Sequence, residues 1–364
     1  MKIAVLDMAS KEGGALTILK SIYNYVANGN VPNHEWYFFI VNQDVRDTEY
    51  VKIVRFPQAS KGRAHRFITK FIDVNRKLKE LGIDCVVCLN NTCLSGCSIP
   101  QFVYLHQAIP FQTVKNFSFL KKRERRHAIA QHILGHIIKK SVCKAEAVFV
   151  QTDWMKTAVS NSVGHSNVVN IGYPKELELI SKLRTDKSAS KEFFYPCTPY
   201  IHKNIETIVN AVSLLRKKGH TFRFYITLTE EKLLSLAGCE SFDKEIFICL
   251  GKITQQEVLE LYAKTTLVFP SYIESLGLPL VEAKNANTWI IVSDCPFSHE
   301  ILDDYSNRDY FATFNARELA NRMERILRDD VKLSPVVDEQ SKNKYECWVK
   351  LVKYIENNMS CLSN

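Results

Sequence analysis

"FPSYIESLGLPLVEAK", Phe269–Lys284, continues the apolar run "TTLVFP" and sets two glutamates, Glu274 and Glu282, on either side of a Gly-Leu-Pro. The run reads as a buried strand ending at Pro270. Pro279 has no N–H to give and its ring clashes with a preceding helical turn, yet proline is welcome in a first turn. The spacing therefore predicts a helix that opens at Gly277 or Leu278. Its unpaired N–H groups and positive dipole end would face the strand's carboxyl end, where an anion binds. This places Glu282 in the first helical turn, where a negative charge gains about 0.3–1 kcal/mol, and Glu274 in the loop before it. Carboxylates repel a phosphate but accept from sugar hydroxyls. A ligand with a phosphate between hydroxylated rings, a nucleotide sugar, matches that arrangement. On spacing alone, a dipole partner at Glu282 and a plain loop charge at Glu274 fit equally well.

Working outward, strand-like runs alternate with helical patterns. Ile3–Leu6, Trp36–Val41, Ile53–Phe56, Cys85–Leu89, Phe102–Leu105, Ala147–Val150 and Val168–Ile171 form one series. Phe193–Tyr195, Phe222–Thr227, Ile246–Cys249, Leu267–Phe269 and Trp289–Val292 form a second. Helical patterns fall at Ala15–Val26, Arg66–Leu81, Ile129–Ser141, Ile205–Lys217, Gln255–Ala263, Pro279–Asn285 and Arg317–Leu327. Strand-then-helix alternation predicts parallel sheets covered on both faces. Between the series, Gly172–Glu192 turns polar and charged, as a domain boundary does. The expected architecture is α/β: two Rossmann-like doubly wound domains facing across a cleft, with ligands beyond the strands' carboxyl ends. The boundaries expected are 1–172, a linker 173–192, 193–335, and a tail 336–364. That tail carries Tyr345, Trp348, Val349, Val352 and Ile355 at helical spacing, and so needs an apolar groove.

Three further stretches end strands of these series. In "FFYPCTPYIHKN", Lys203 stands at a helix start, a poor place for a cation unless an anion is near; a solvated lysine is the alternative. In "DMASKEGGALTIL", Gly13 and Gly14 allow close backbone approach or positive φ, or simply a tight turn. In "FVYLHQAIP", His106 sits at a strand's carboxyl end, either structural or at the mouth of the cleft. His132 and His136 are four apart but lack a nearby carboxylate, and no Asp-x-Asp occurs, so no metal site is expected. The 11 cysteines are scattered. Cys85 and Cys88 point to opposite faces of one strand and are expected to be reduced, buried thiols.

The chain has 364 residues, is 46% hydrophobic and 24% charged, and carries a formal charge of +9. No run approaches the roughly 18 apolar residues of a membrane span. The opening "MKIAVLDMAS" reads as a first strand and not as a signal peptide, which predicts a cytoplasmic protein. Nine Lys or Arg lie between Lys115 and Lys144 against the single acid Glu124. Such a patch favours a polyanion: nucleic acid, an anionic membrane or a phosphorylated substrate. No aromatic-basic recognition motif supports nucleic acid.

With these residues in view, the chain resembles the retaining glycosyltransferases of family 4, and among them bacterial capsule and O-antigen enzymes. "GKITQQEVLELYAKTTLVFPSYIESLGLPLVEA" is similar to that family's block around a Glu, seven residues, Glu motif. Glu274 and Glu282 match the glutamates, with Gly277, Pro279 and Ala283 in their usual places. "VSDCPFSHEIL" and "VFVQTDWMK" are similar to further segments. The resemblance implies the GT-B fold, its C-terminal helix returning to the first domain, and metal-independent, retaining transfer of a hexose from a UDP- or GDP-linked sugar. It implies that Glu282 holds the ribose hydroxyls. Glu274 and backbone at Ser275, Leu276, Gly277 and Leu278 would hold sugar and phosphate, and Lys203 would neutralise the departing diphosphate. His106 matches the strand-end histidine near the reacting sugar, and Gly13-Gly14 the acceptor-side loop that binds the donor against its diphosphate. One departure stands out: the family's arginine a few residues before the lysine is absent, and His202 or the Thr198 hydroxyl is left in its place. Neither reproduces a guanidinium.

The acceptor expected is a lipid-linked oligosaccharide in surface polysaccharide biosynthesis. Lys121, Lys122, Arg123, Arg125 and Arg126 would then rest on anionic lipid at the inner face of the cytoplasmic membrane, at about 1 kcal/mol per charge. Alternatives are a GT-B nucleotide-sugar epimerase and a non-catalytic module that binds nucleotide sugars.

Overall fold

The computed structural model describes residues 1–10, 13–41, 43–61, 69–164, 167–174, 188–334 and 345–362. The first residues of the expected helix Arg66–Leu81, most of the expected linker 173–192 and the start of the expected tail lie outside them. The described residues form two α/β units. The first comprises Met1–Gln112, Ile129–Glu176 and Lys342–Asn364; the second comprises Thr113–Ala128 and Leu177–Ser341.

The first unit holds a seven-stranded sheet of order β3-β2-β1-β4-β5-β6-β7. Its strands are β1 (Lys2–Asp7), β2 (Glu35–Ile40), β3 (Val51–Arg55), β4 (Cys85–Cys88), β5 (Gln101–Tyr104), β6 (Ala147–Val150) and β7 (Val168–Asn170). The pairs are parallel, with Leu6 beside Phe39 on one side and Cys88 on the other. β4, β5 and β6 are buried at every position, as strands covered on both faces must be. Cys85 and Cys88 are both buried in β4 and free, and burial pushes the Cys85 thiol up to about 12. The C-terminal helix Glu346–Leu362 belongs to this unit. Trp348 Nε1 donates to Ser21 Oγ at 2.7 Å, and its ring lies 5.8 Å from that of Tyr104. Tyr354 meets Phe149 edge-on at 5.5 Å, and Glu356 bonds His34 at 2.8 Å. The apolar face read at Trp348, Val352 and Ile355 thus has its groove.

The second unit holds a six-stranded parallel sheet of order β10-β9-β8-β11-β12-β13. Its strands are β8 (Phe193–Tyr195), β9 (Phe224–Ile226), β10 (Phe247–Cys249), β11 (Thr266–Phe269), β12 (Ile290–Ser293) and β13 (Arg308–Phe311). Helix Ile205–Lys217 follows β8 with the bounds its periodicity predicts, and helix Leu278–Asn285 opens behind Gly277 at φ 80. Both sheets reverse direction of growth after their first three strands. This creates a switch point between β1 and β4 in the first unit and between β8 and β11 in the second, where open α/β sheets bind ligands. No helix among the described residues is long and apolar enough to cross a membrane.

Candidate functional site

At the second unit's switch point, two loops leave β8 and β11 side by side and are stitched together by backbone carbonyls. The Tyr195 hydroxyl donates to the Lys203 carbonyl at 3.2 Å. Asn204, which turns the chain at φ 56 into helix Ile205–Lys217, donates through Nδ2 to the Pro270 carbonyl at 3.2 Å. The Tyr272 N–H reaches the His202 carbonyl at 3.2 Å. Lys203 and Glu274 are brought together: the ammonium pairs with Glu274 Oε1, which also accepts from the Ser271 hydroxyl at 2.6 Å. Their side chains are only 12% and 15% exposed, so the pair is sheltered from the screening that makes surface pairs weak.

The helix beyond starts as expected, but Glu282 is its fifth residue, and the first turn carries no acid. The dipole argument for this glutamate fails by one turn: a helix opening at Leu278 has used its first turn by Val281. Burial governs Glu282 instead. Its carboxyl is pushed above the usual carboxylate range by desolvation, opposed by hydrogen bonds from the Tyr262 hydroxyl to Oε2 at 3.0 Å and Gln255 Nε2 to Oε1 at 2.7 Å. Ser275, Leu276, Gly277 and Leu278 form the turn between the two glutamates, and no side chain caps the helix start. Its N–H end therefore keeps the character of an anion site.

The two residues in the place of the missing arginine differ. Thr198 is exposed. His202 Nδ1 is hydrogen-bonded to His127 Nε2 at 2.9 Å. Burial holds His202 well below the usual histidine range, with help from Lys203 and His127; His127 is lowered to about 4 by burial and by Arg126. His202 therefore offers a hydrogen bond and not a positive charge. His127 lies on the segment Thr113–Ala128, which reaches this unit from the chain's first half. Its spacing carries no signal of that. Tyr262, Gln255 and Ser271 were likewise invisible as partners in the sequence, because each meets its glutamate only through the fold.

In the first unit, Gly13 and Gly14 open helix Gly13–Ala27, Gly13 at φ 68, and a Cβ at either would meet nothing within 4 Å. His106 follows β5. Its backbone N–H donates to Asn91 Oδ1 at 2.8 Å, and its Nε2 lies 3.3 Å from Asn91 Nδ2. Burial lowers its pKa against the opposing pull of Asp7. Asp7 ends β1, and its Oδ1 accepts from the N–H groups of Ala9 and Ser10 and from Asn90 Nδ2 at 2.8 Å. An acid closing the buried run "IAVLD" was the signal that marks it.

Of the basic run, Lys121, Lys122, Arg123, Arg125 and Arg126 are exposed and belong to the second unit. Arg123 is committed within that unit, its guanidinium donating to the Leu236 carbonyl. Lys139 and Lys140 belong to the first unit. There, Ile129, Ile133, Leu134 and Ile137 are 42–54% exposed. Among the described residues, no group of three or more His, Cys, Asp or Glu is placed to hold a metal ion.

Residues 187–345 match the family described as glycosyl transferases group 1. Over 119 residues the chain is 34% identical to the O-antigen chain mannosyltransferase RfbU of Salmonella typhimurium, covering 30% of this chain and 32% of that protein. Over 130 residues it is 25% identical to the N,N'-diacetylbacillosaminyl-diphospho-undecaprenol alpha-1,3-N-acetylgalactosaminyltransferase of Campylobacter jejuni, covering 35% of this chain and 33% of that one. The match thus spans about a third of each relative's length. In fold, the chain is similar to sucrose-phosphate synthase of Thermosynechococcus elongatus, with a TM-score of 0.65, 15% identity and 90% of each chain covered. Residues 187–345, which carry Lys203, Glu274 and Glu282, thus match the glycosyl transferases group 1 family, in a chain with the two-sheet GT-B fold.

Proposed function

We propose that the protein transfers a hexose, with retention and without a metal, from a nucleoside diphosphate sugar to a lipid-linked oligosaccharide in surface polysaccharide synthesis. The observation that carries this reading is the sheltered Lys203–Glu274 pair at the switch point of a group 1 domain, with Glu282 and an uncapped helix start behind it. Glu282 accepts the ribose hydroxyls, and the turn at Leu276–Gly277 receives a phosphate. Lys203, released from Glu274 as the donor enters, neutralises the charge that develops on the leaving diphosphate. Glu274 is then free to accept from the transferred sugar. In retention the acceptor hydroxyl attacks on the face the phosphate leaves, and the departing phosphate oxygen takes its proton. Both matched relatives bear names of polysaccharide-type transferases, and the second names a diphospho-undecaprenol substrate. With that acceptor class the protein works as a peripheral enzyme at the cytoplasmic membrane face.

The test is a donor panel: UDP- and GDP-sugars, each with and without a lipid-diphosphate oligosaccharide, with nucleotide release and sugar product followed in the presence of EDTA. Acceptor-dependent release supports the reading, whereas free sugar formed without acceptor marks an epimerase. Glu282→Ala is expected to weaken nucleotide binding and Glu274→Ala chiefly to lower turnover. Full activity in both variants, or no binding of any nucleotide, sinks the assignment.

A further inference from the structure

The first unit's own switch point holds a buried polar cluster to which the reading above gives little work. It gathers the ends of three neighbouring strands: Asp7 closes β1, Asn90 and Asn91 follow β4, and His106 follows β5. The orientation of its groups can be deduced. Asn91 Oδ1 accepts the His106 backbone N–H, so the Asn91 amide must turn its NH2 towards the imidazole. The His106 Nε2 therefore accepts, and in the neutral ring the proton sits on Nδ1. That Nδ1 is buried and has no partner among the described residues. Asp7 shows the converse. Its Oδ1 is occupied by three donors, while its Oδ2 is buried and has no partner among the described residues. The field of Asp7 also acts on the His106 ring. A donor without an acceptor and an acceptor without a donor are both costly when buried. They share one sheet end, next to part-exposed Asn90 and Asn91.

We propose that Asp7 is a substrate-recognition residue: its Oδ2 accepts from a hydroxyl of a carbohydrate ligand, and His106 Nδ1–H donates to an oxygen of the same sugar. One hydroxyl, which both donates and accepts, or two neighbouring hydroxyls satisfy both orphaned atoms at once. The carbohydrate class of the ligand rests on the function proposed above; the complementary pair of unpaired atoms does not.

The full chain, labelled with 15N in its histidine rings, is titrated with UDP-glucose, UDP-N-acetylglucosamine, GDP-mannose, free UDP and GDP, and the methyl glycosides of the same sugars. The His106 signals are assigned by their loss in His106→Asn. The expected ring is the Nδ1–H tautomer, and its Nδ1 signal shifts with at least one sugar-bearing probe but with neither free nucleotide. Asp7→Asn keeps an oxygen for Ala9, Ser10 and Asn90 but turns the orphaned acceptor into a donor. It is expected to abolish that shift and weaken the sugar probe by about tenfold or more, leaving UDP and GDP binding as in the parent. Asn91→Gly is compatible with the positive φ of 61 at that position and removes the group that sets the tautomer. It should return the ring towards Nε2–H and weaken the same probe, giving a second reading if Asp7→Asn misfolds. An Nε2–H tautomer in the parent, a signal unmoved by every sugar probe, or an Asp7→Asn protein that responds like the parent overturns the proposal. The last of these would mean that only water sits there. Failure of the group 1 domain to bind any nucleotide is read separately, because the methyl glycosides test Asp7 without it.

Discussion

In the proposed site, Glu282 would serve binding at the expense of stability. It is a buried carboxylate with, among the described residues, two donors and no paired cation, and desolvation raises its pKa. The folded state therefore holds this proton to higher pH than the unfolded chain does. Stability falls as pH rises through the interval above the ordinary glutamate value, and the penalty is constant beyond it. In Glu282→Gln the group no longer titrates. Urea unfolding between acid and neutral pH should lose that downward slope while nucleotide affinity drops by about 1.5–3 kcal/mol, the scale of a charged hydrogen bond. A variant that kept its affinity would show that Glu282 is structural. The sequence marked Glu274, Glu282 and Lys203 because proline, glycine and strand patterning locate them without any tertiary knowledge. It could not show that Lys203 neutralises Glu274, or that Tyr262 and Gln255 hold Glu282, since those contacts span 71, 20 and 27 residues.

At the scale of elements, the segment Thr113–Ala128 is the least anticipated part of the second unit. Phe117, His127, Tyr200 and His202 pack ring to ring, with centroids 4.9 Å apart for Phe117–His127 and 5.2 Å for His127–His202. The histidine pair needs one ring to accept. Protonating that ring sets two donors face to face. Arg126, Lys115 and Lys203 also oppose the charge, and Glu124 favours it. Both folded-state pKa values lie below the free histidine value, so the unfolded chain binds more protons between about 6.5 and 4. The pair's contribution is complete above that window and is lost as pH falls through it. Amide-exchange protection in 113–128, corrected for intrinsic rates, should decline over this range. His127→Gln, which keeps a hydrogen-bond partner for His202, should flatten the decline. A profile identical in parent and variant would falsify the role given to the pair. Continuous apolar runs made the inner strands legible, because sheets covered on both faces demand them. β13 escaped because "RDYF" is an edge strand left part-exposed at three of four positions. Helix Glu230–Ala237 escaped despite a readable start: Thr229 caps it by accepting from the Lys232 N–H, and Gly238 ends it.

At the scale of the whole molecule, a charge of +9 does not by itself select a membrane, and the exposed apolar residues sharpen the case. Within the first unit, Ile129, Ile133 and Ile137 recur every four residues along consecutive helical turns. Leu134 lies beside them and Lys139 and Lys140 follow. In the membrane association proposed above, an amphipathic stripe of this kind would sink into the boundary between headgroups and acyl chains, while the basic residues would meet anionic lipid. Within the second unit, Lys121, Lys122, Arg125 and Arg126 are a separate source of exposed positive charge, from which Arg123, tied to Leu236, is partly withdrawn. The two contributions separate by experiment. In co-sedimentation with phosphatidylcholine vesicles, with and without phosphatidylglycerol, the parent should bind the anionic vesicles and weaken as salt rises. Replacing Ile133 and Ile137 by Ser removes apolar area worth about 25 cal/mol per Å². It should lower binding at every salt concentration and leave the salt slope as it was. Replacing Lys121, Lys122, Arg125 and Arg126 by Gln should flatten the slope. Salt-insensitive binding that ignores the isoleucines, or no binding to either vesicle, would confine the protein to soluble acceptors and remove the membrane from its function.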